Sequence, residues 1–204
     1  MKLTRHRLFL DGIPPMAWLS GGGLLIMASD RLAHAITAAG ALVWVYCLST
    51  LAVHGGTRIF PRQGRVELFA FLNSFVACVF IFLLWIISPI CALETFFVIS
   101  LVPLICLGSG LFERLETLSL REKFFTALYE ALIPGILIVI FAIIREPLGF
   151  LSLSLPGGSQ GIILLFSFDT ESFLPLHLAA SSSGALLLLG YFLGLYQYLG
   201  EEKQ

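Results

Sequence analysis

The chain has 204 residues, of which 58% are apolar and only 12% charged, and its mean hydropathy is +0.95. These values exclude a soluble globular domain and a disordered chain, because both carry many more charged residues. The 12 basic residues nearly balance the 13 acidic ones, so the chain lacks the positive field that nucleic-acid binding requires. The composition therefore predicts an integral membrane protein without a nucleic-acid partner.

The apolar segments, cut at charges, prolines and glycines, predict six membrane-spanning helices, since a helix needs about 20 apolar residues to cross a bilayer. The third and fourth should meet near Ser88 and Pro89, because proline lacks an N–H donor and disfavours helix in the residue before it. The apolar segment 161–168 is too short to cross and is expected to lie at the interface or re-enter. The predicted spans cover residues 8–28, 32–53, 68–88, 89–112, 124–144 and 175–199.

The lysines and arginines fall mostly on one side of these six spans. Ten of the 12 basic residues lie before the first span, in the second and fourth loops, or at the C-terminus, whereas only Arg31 and Arg145 lie on the other side. Basic loops stay in the cytoplasm. We therefore expect both termini to be cytoplasmic, in the inner membrane of the cell. The basic N-terminus resembles a signal peptide, but no small-residue cleavage site follows it, so the first span should be retained.

The four cysteines, Cys47, Cys78, Cys91 and Cys106, lie singly in apolar segments. None has the spacing of a zinc site or a disulfide framework, so they are expected to be small buried apolar residues. The chain also lacks a dinucleotide fingerprint and a P-loop. We predict no catalytic residue and no metal site, and no catalysis by the chain alone.

Interruptions occur at matching positions of the two halves, 1–88 and 89–204, of what we expect to be one domain. The first span contains Gly12, Pro14 and Pro15, and the fourth contains Pro103 and a glycine–serine–glycine segment around Ser109. Broken helices in corresponding positions indicate an inverted repeat with a site at the membrane midplane. The predicted fold is all-α, with six transmembrane helices as a 3+3 inverted repeat and with helices one and four broken. The alternative is that these small residues only permit close helix packing.

Four segments resemble the Rnf/Nqr family of membrane subunits, which belong to Rnf and sodium-pumping NADH:quinone oxidoreductase complexes. Residues 10–20 (LDGIPPMAWLS) are similar to the family's first-helix motif, and residues 102–118 (VPLICLGSGLFERLETL) to its fourth-helix motif. Arg114 and Glu116 coincide with the family's arginine and glutamate. Residues 142–150 (AIIREPLGF) resemble the motif G-x-x-R-E-x-x-G through Arg145, Glu146 and Gly149, and residues 168–190 resemble the final segment. With cytoplasmic termini, the closest type is the D or E subunit.

The resemblance implies a subunit that pairs with an inverted homologue, each giving two cysteines to a two-iron two-sulfur cluster while Na⁺ or H⁺ crosses the membrane. The partners would be this homologue, other subunits carrying flavin and iron–sulfur clusters, and lipid. The two cysteine positions are occupied here by Pro14 and Ser109. Proline offers no ligand, and a serine hydroxyl matches cluster iron poorly. Cys106 lies one turn before Ser109, but no cysteine replaces Pro14. We therefore expect this chain to bind no cofactor of its own, and the two-iron two-sulfur cluster to be absent.

Several ionisable residues fall within or beside the apolar segments, where an ionised carboxylate costs about 2.5–3.5 kcal/mol at a helix centre. Glu130 is a candidate for an ion path, unless it lies near the cytoplasmic end and is solvated or paired. Arg145 and Glu146 are adjacent in sequence and cannot pair with each other on a helix, so each should have a partner elsewhere. Glu94 and His34 are expected at the outer interface, where a hydrated histidine needs no special role.

These observations favour an integral-membrane subunit of an Rnf/Nqr-like ion-translocating electron-transport complex, without iron–sulfur ligands of its own. Two alternatives remain open. An inverted-repeat secondary transporter would show the same broken helices. A purely structural or assembly subunit would retain Glu130 and the interruptions without using them.

Overall fold

A computed structural model describes residues 26–56, 65–109, 119–158, 161–167 and 177–201. Its helices and strands are α1 (Leu32–Gly56), α2 (Arg65–Ile87), α3 (Pro89–Gly108), α4 (Leu120–Phe150), β1 (Ser152–Pro156), β2 (Ile162–Ser167), α5 (His177–Ala180) and α6 (Ser182–Glu201). Within this part of the chain, four helices, α1 to α4, are long and apolar enough to cross a membrane. A membrane protein with transmembrane helices is therefore supported.

Helix α1 lies at the centre of the described bundle and packs against α2, α3, α4 and β1. Its inward face is built from small residues, which allow close approach of neighbouring helices. At Gly135 of α4, an added Cβ would lie 3.3 Å from the Cβ of Ala39 on α1, so the two helices are nearly in backbone contact. Buried alanines on this face of α1 are Ala35, Ala38 and Ala41.

Helix α2 lies at the edge of the bundle and exposes large apolar side chains such as Phe71, Phe75 and Phe82. Such a surface suits lipid rather than water. The helix ends at Ile87, Ser88 adopts a non-helical conformation, and Pro89 begins α3. The predicted turn at Ser88 and Pro89 is confirmed.

Two predictions about the spans are corrected. Pro103 does not interrupt the fourth span, because α3 continues through it to Gly108 and ends at Ser109; proline is tolerated in membrane helices where the surrounding protein satisfies the freed backbone. The fifth span, predicted over 124–144, extends over 31 residues with Pro134 and Pro147 inside it. That length is about 47 Å, so its ends project beyond an apolar layer of about 30 Å.

Local signals explain both ends of α4. Ser119 and Glu122 form a capping box, in which the Ser119 hydroxyl accepts the Glu122 N–H and the Glu122 carboxylate accepts the Ser119 N–H. This arrangement satisfies two of the donors left open at a helix start. At the other end, Leu151 adopts a left-handed conformation, and its N–H donates to the carbonyl of Pro147.

The described chain is mostly helical, as predicted, but β1 and β2 add an antiparallel hairpin whose register shifts between Leu153 and Ser154, which leaves Leu165 of β2 unpaired. The segment 161–168, expected at the interface or re-entrant, supplies the second strand. Gly158 and Gly161 have positive φ angles and make the turn, and the N–H of Gly157 donates to the carbonyl of Gly161. Glycine adopts positive φ without the Cβ clash that other residues suffer.

The bundle has two ends that differ in composition. We call the hairpin end the one where α1 and α3 begin, α2 and α4 end, and the β-hairpin lies. The Ser109 end is the opposite one, where α1 and α3 end and α2 and α4 begin. The first span is described only over 26–28, which are helical, and the sixth corresponds to α5 and α6. The six-span count and the inverted repeat thus stay predictions.

Candidate functional site

The Arg145 side chain lies at the hairpin end with only 1% of its surface exposed. Its Nε donates to the carbonyl of Ala179 at 2.7 Å, and its Nη2 to that of Ser181 at 2.8 Å. Its Nη1 donates to the carbonyl of Ile26 and the hydroxyl of Ser29, both at 2.9 Å. The carbonyls at a helix end have no partner within their own helix. Arg145 therefore holds together the segment before α1 and the junction between α5 and α6.

Glu146 performs the complementary task at the start of α1. Its buried carboxylate accepts the N–H of Leu32 at 2.7 Å. A helix N-terminus has unpaired N–H groups and a partial positive charge, so a carboxylate there both satisfies a donor and gains electrostatically. The Ser154 hydroxyl of β1 accepts the next N–H, that of Ala33, at 3.5 Å. The prediction that Arg145 and Glu146 have partners elsewhere is confirmed.

Glycine is required where α5 meets α6. A Cβ at Gly184 would collide with the backbone carbonyl of Leu178 and lie 2.8 Å from the Cα of Ala179. The Ser181 hydroxyl donates to the Leu178 carbonyl and accepts the Gly184 N–H at 3.3 Å. The junction is therefore a compact break whose carbonyls face Arg145.

A second polar cluster lies within the bundle, towards the Ser109 end. Asn73 of α2 is completely buried, and within the described part of the chain neither atom of its amide has an oxygen or nitrogen hydrogen-bond partner. The amide faces the thiol of Cys106, which is also completely buried, and Glu130 of α4 is close enough to that thiol to act on it electrostatically. An unsatisfied buried polar group costs about 1–3 kcal/mol, so the Asn73 amide calls for an explanation.

Ser109 stands at the end of α3 beside this cluster. Its buried hydroxyl donates to the carbonyl of Cys106 at 2.8 Å. This contact uses the hydroxyl to close the last turn of α3, where helix carbonyls lack partners. A single thiol and a serine hydroxyl do not make a thiolate set for an iron–sulfur cluster. The described residues at this end therefore do not fit such a cluster.

Of the remaining residues of the predicted family motif, some lie in the described helices and others lie outside the described residues. Pro103 and Gly149 are buried in α3 and α4. Gly12, Pro14, Pro15, Arg114 and Glu116 lie outside the described residues. The described residues contain no group of three or more His, Cys, Asp or Glu side chains that would hold a metal ion.

Two features of the structure do not follow from the expectations based on the sequence. His34 is not a simple hydrated histidine, because its two ring nitrogens contact Asp30 and Glu94 at 2.8 and 3.0 Å. The four-residue spacing of Asp30 and His34 at a predicted helix start was the available signal. Nothing in the sequence singled out Asn73 as a site residue, since one amide in an apolar helix has many explanations.

Comparison of the chain with protein-family models, curated proteins and solved structures finds no match.

Proposed function

We propose that this chain is an integral-membrane subunit of an ion-translocating electron-transport complex of the Rnf/Nqr kind, acting through an ion path and not through a cofactor of its own. It has both termini in the cytoplasm and crosses the inner membrane six times as an inverted repeat. It pairs with an inverted homologous subunit, and the other subunits supply flavin and iron–sulfur clusters. Na⁺ or H⁺ is the transported ion.

The observation that carries this proposal is the cluster of Asn73, Cys106 and Glu130 inside the membrane-spanning bundle. Ionisable residues in membrane helices are costly and mark ion or proton pathways more often than structural sites. Among the described residues the Asn73 carbonyl oxygen and N–H groups have no oxygen or nitrogen partner, and the amide and Glu130 both act on the Cys106 thiol. Oxygen atoms of amides and carboxylates are the ligands that hard cations prefer.

The C-terminus of α3 adds to this preference. The helix ends at Gly108, a few residues after Cys106, and a helix C-terminus carries a partial negative charge. A cation passing between Asn73 and Glu130 is therefore attracted by the carboxylate and by the end of α3. Arg145 and Glu146 are also buried and ionisable, but they are not candidates for this path, because their hydrogen bonds go to helix ends within the chain.

The test is purification of the chain from its native membrane, followed by measurement of ion uptake in vesicles for Glu130→Gln. We expect the variant to assemble with its partners but to lose most redox-driven ion uptake. Glu67→Gln, which alters an exposed glutamate on α2, is the matched control and should retain uptake.

Other outcomes contradict the proposal in recognisable ways. Copurification with flavin-bearing and iron–sulfur subunits is expected; a homodimer that moves a solute without them would indicate the secondary transporter instead. Full uptake in Glu130→Gln, with normal assembly, would indicate a purely structural or assembly subunit. An iron–sulfur EPR signal assigned to this chain's residues would refute the absence of its own cluster.

A further inference from the structure

Three ionisable side chains at the hairpin end are linked in series by hydrogen-bond contacts. Nδ1 of His34 lies 2.8 Å from a carboxylate oxygen of Asp30, and Nε2 lies 3.0 Å from one of Glu94. Asp30 precedes α1, His34 is in its first turn and Glu94 is in the second turn of α3. These contacts therefore connect α1 and α3 through the imidazole ring of His34. We call these residues the histidine triad.

The contacts on both ring nitrogens determine how many protons the triad holds. An ionised carboxylate only accepts hydrogen bonds, and a neutral imidazole has a single N–H to donate. Both contacts are satisfied together only if one more proton is present, on the His34 ring or on one of the carboxyl groups. With that proton the three groups carry a net charge of −1, and without it −2.

Solvent reaches the two contacts to different extents. The His34 side chain is 12% exposed, whereas those of Asp30 and Glu94 are 35% and 41% exposed. The Asp30 carboxylate is held further by the Arg31 N–H at 2.8 Å. The contact between His34 and Glu94 joins two helices directly. It is the more exposed of the two contacts and therefore the more easily broken.

The other charged groups near the triad come from the end of α4 and from the turn before α1. Arg145 acts electrostatically on Asp30, and Glu146 is bound to the N–H of Leu32. The guanidinium of Arg31 lies over the ring of Phe150, 5.4 Å from its centre. On α3, the thiol of Cys91 contacts the hydroxyl of Thr37 on α1 at 3.5 Å.

A metal ion does not suit this arrangement. Asp30 and Glu94 contact different nitrogens, which lie on opposite sides of the imidazole ring. The three side chains therefore cannot close around a single ion, and a proton is the ligand that fits between them.

We propose that the histidine triad is a proton-binding site at the hairpin end, and that the bound proton ties α1 to α3. The proton comes from and returns to the adjacent water, and only an N–H or O–H bond forms or breaks. When it leaves, His34 keeps one N–H for the better-held Asp30, and its Nε2 lone pair faces the Glu94 carboxylate. Two acceptors then oppose each other, and the link between the helices is lost. This inference goes beyond the electron-transport role and does not rest on it.

The direct test is a ¹⁵N NMR titration of the full chain in detergent micelles, with labelled histidine. The chain has four histidines, and His34→Gln identifies the His34 signals by their loss. We expect both ring nitrogens of His34 to be protonated at pH 7 and one to lose its proton at higher pH. Glu94→Gln should weaken proton binding at least about tenfold, because it removes an opposite charge close to the ring. A His34 ring with a single proton at pH 7, or an unchanged titration in Glu94→Gln, would overturn the proposal.

A second measurement addresses the link between the helices. The thermal stability of the wild-type chain should fall as the pH rises through the His34 titration, and Glu94→Gln should flatten this dependence. Glu67→Gln, which removes an exposed carboxylate of α2 at the other end of the bundle, is the matched control and should leave the slope unchanged. Equal slopes in the wild type and in Glu94→Gln would show that the proton does not stabilise the contact between α1 and α3.

Discussion

Arg145 and Glu146 at one end of the bundle and Asn73 towards the other are all fully buried, but they differ in the hydrogen bonds that they make. At the hairpin end, Arg145 and Glu146 satisfy backbone groups left open at the ends of other helices. Towards the Ser109 end, the Asn73 amide is equally buried, and among the described residues it meets the Cys106 thiol but no oxygen or nitrogen partner. Arg145 and Glu146 thus connect helix ends to one another, whereas Asn73 places a polar amide against the Cys106 thiol, on which Glu130 also acts. The difference separates residues that hold the fold from residues that are candidates for ion binding.

The largest expected effect is the loss of the Arg145 contacts. Arg145→Leu would leave three backbone carbonyls and the Ser29 hydroxyl without their donor. Each unsatisfied buried group costs about 1–3 kcal/mol, so we expect a chain that is destabilised by more than about 3 kcal/mol and expresses poorly. Thermal unfolding in detergent and expression level are the measurements. Arg121→Leu at the exposed start of α4 is the control; equal losses in both would contradict the special role of Arg145.

A smaller but still large effect is expected at the α5–α6 junction. Gly184→Ala would force a methyl group into the Leu178 carbonyl and separate the junction from Arg145. Overpacking of this kind costs about 1–3 kcal/mol, measured as a lower thermal midpoint. Gly190→Ala meets no atom within 4 Å and should be neutral or stabilise α6 by up to about 1 kcal/mol. If the two variants behaved alike, the close approach at Gly184 would not matter.

Towards the Ser109 end, a substitution is expected to raise the stability of the chain instead of lowering it. Asn73→Leu replaces the buried amide by a larger apolar side chain with the same branching at Cγ, so the chain should become more stable by up to about 1 kcal/mol once the added volume is accommodated. The same variant should lose ion uptake if Asn73 lines the path. Thermal unfolding and vesicle uptake would be measured together, with Ser74→Ala, an exposed neighbour on α2, as control. A destabilised Asn73→Leu would mean that the amide has a structural use after all.

The smallest effect concerns the stability of the hairpin end in acid. Burial disfavours ionisation of Asp30, but the hydrogen bond and charge of His34 and the Arg31 N–H outweigh it, so the pKa of Asp30 lies below its ordinary value of 3.8. A lowered pKa in the folded state stabilises the fold above the ordinary value, and this contribution disappears as the pH falls through the lowered pKa.

Asp30→Asn is the variant that measures this contribution. The wild type should be more stable than Asp30→Asn near neutral pH, and the gap should close below about pH 4. Thermal midpoints over an acid series provide the measurement, and Glu67→Gln on α2 serves as the reference for general acid effects. A gap that persisted at the lowest pH would show that ionisation of Asp30 does not stabilise the fold.

Much of the fold follows from the sequence alone. Apolar segments of sufficient length predicted the helices that became α1 to α4, because crossing a bilayer depends mainly on length and composition. Ser88 and Pro89 predicted the break between α2 and α3 through the local restrictions of proline. The second strand, by contrast, falls in the segment predicted to be interfacial or re-entrant, because a short apolar run has no periodicity that separates strand from helix.

The sequence determined that this protein belongs in a membrane, roughly where its helices run, and that Arg145 and Glu146 need partners away from each other. The identity of those partners depends on how the helices pack, since Arg145 binds Ile26 and Glu146 binds Leu32, each more than 100 positions away in the chain. Only the tertiary structure placed His34 between Asp30 and Glu94, and Asn73 against Cys106. The physical reason is that helix formation depends on neighbours in sequence, whereas the pairing of buried polar groups depends on which helices pack together.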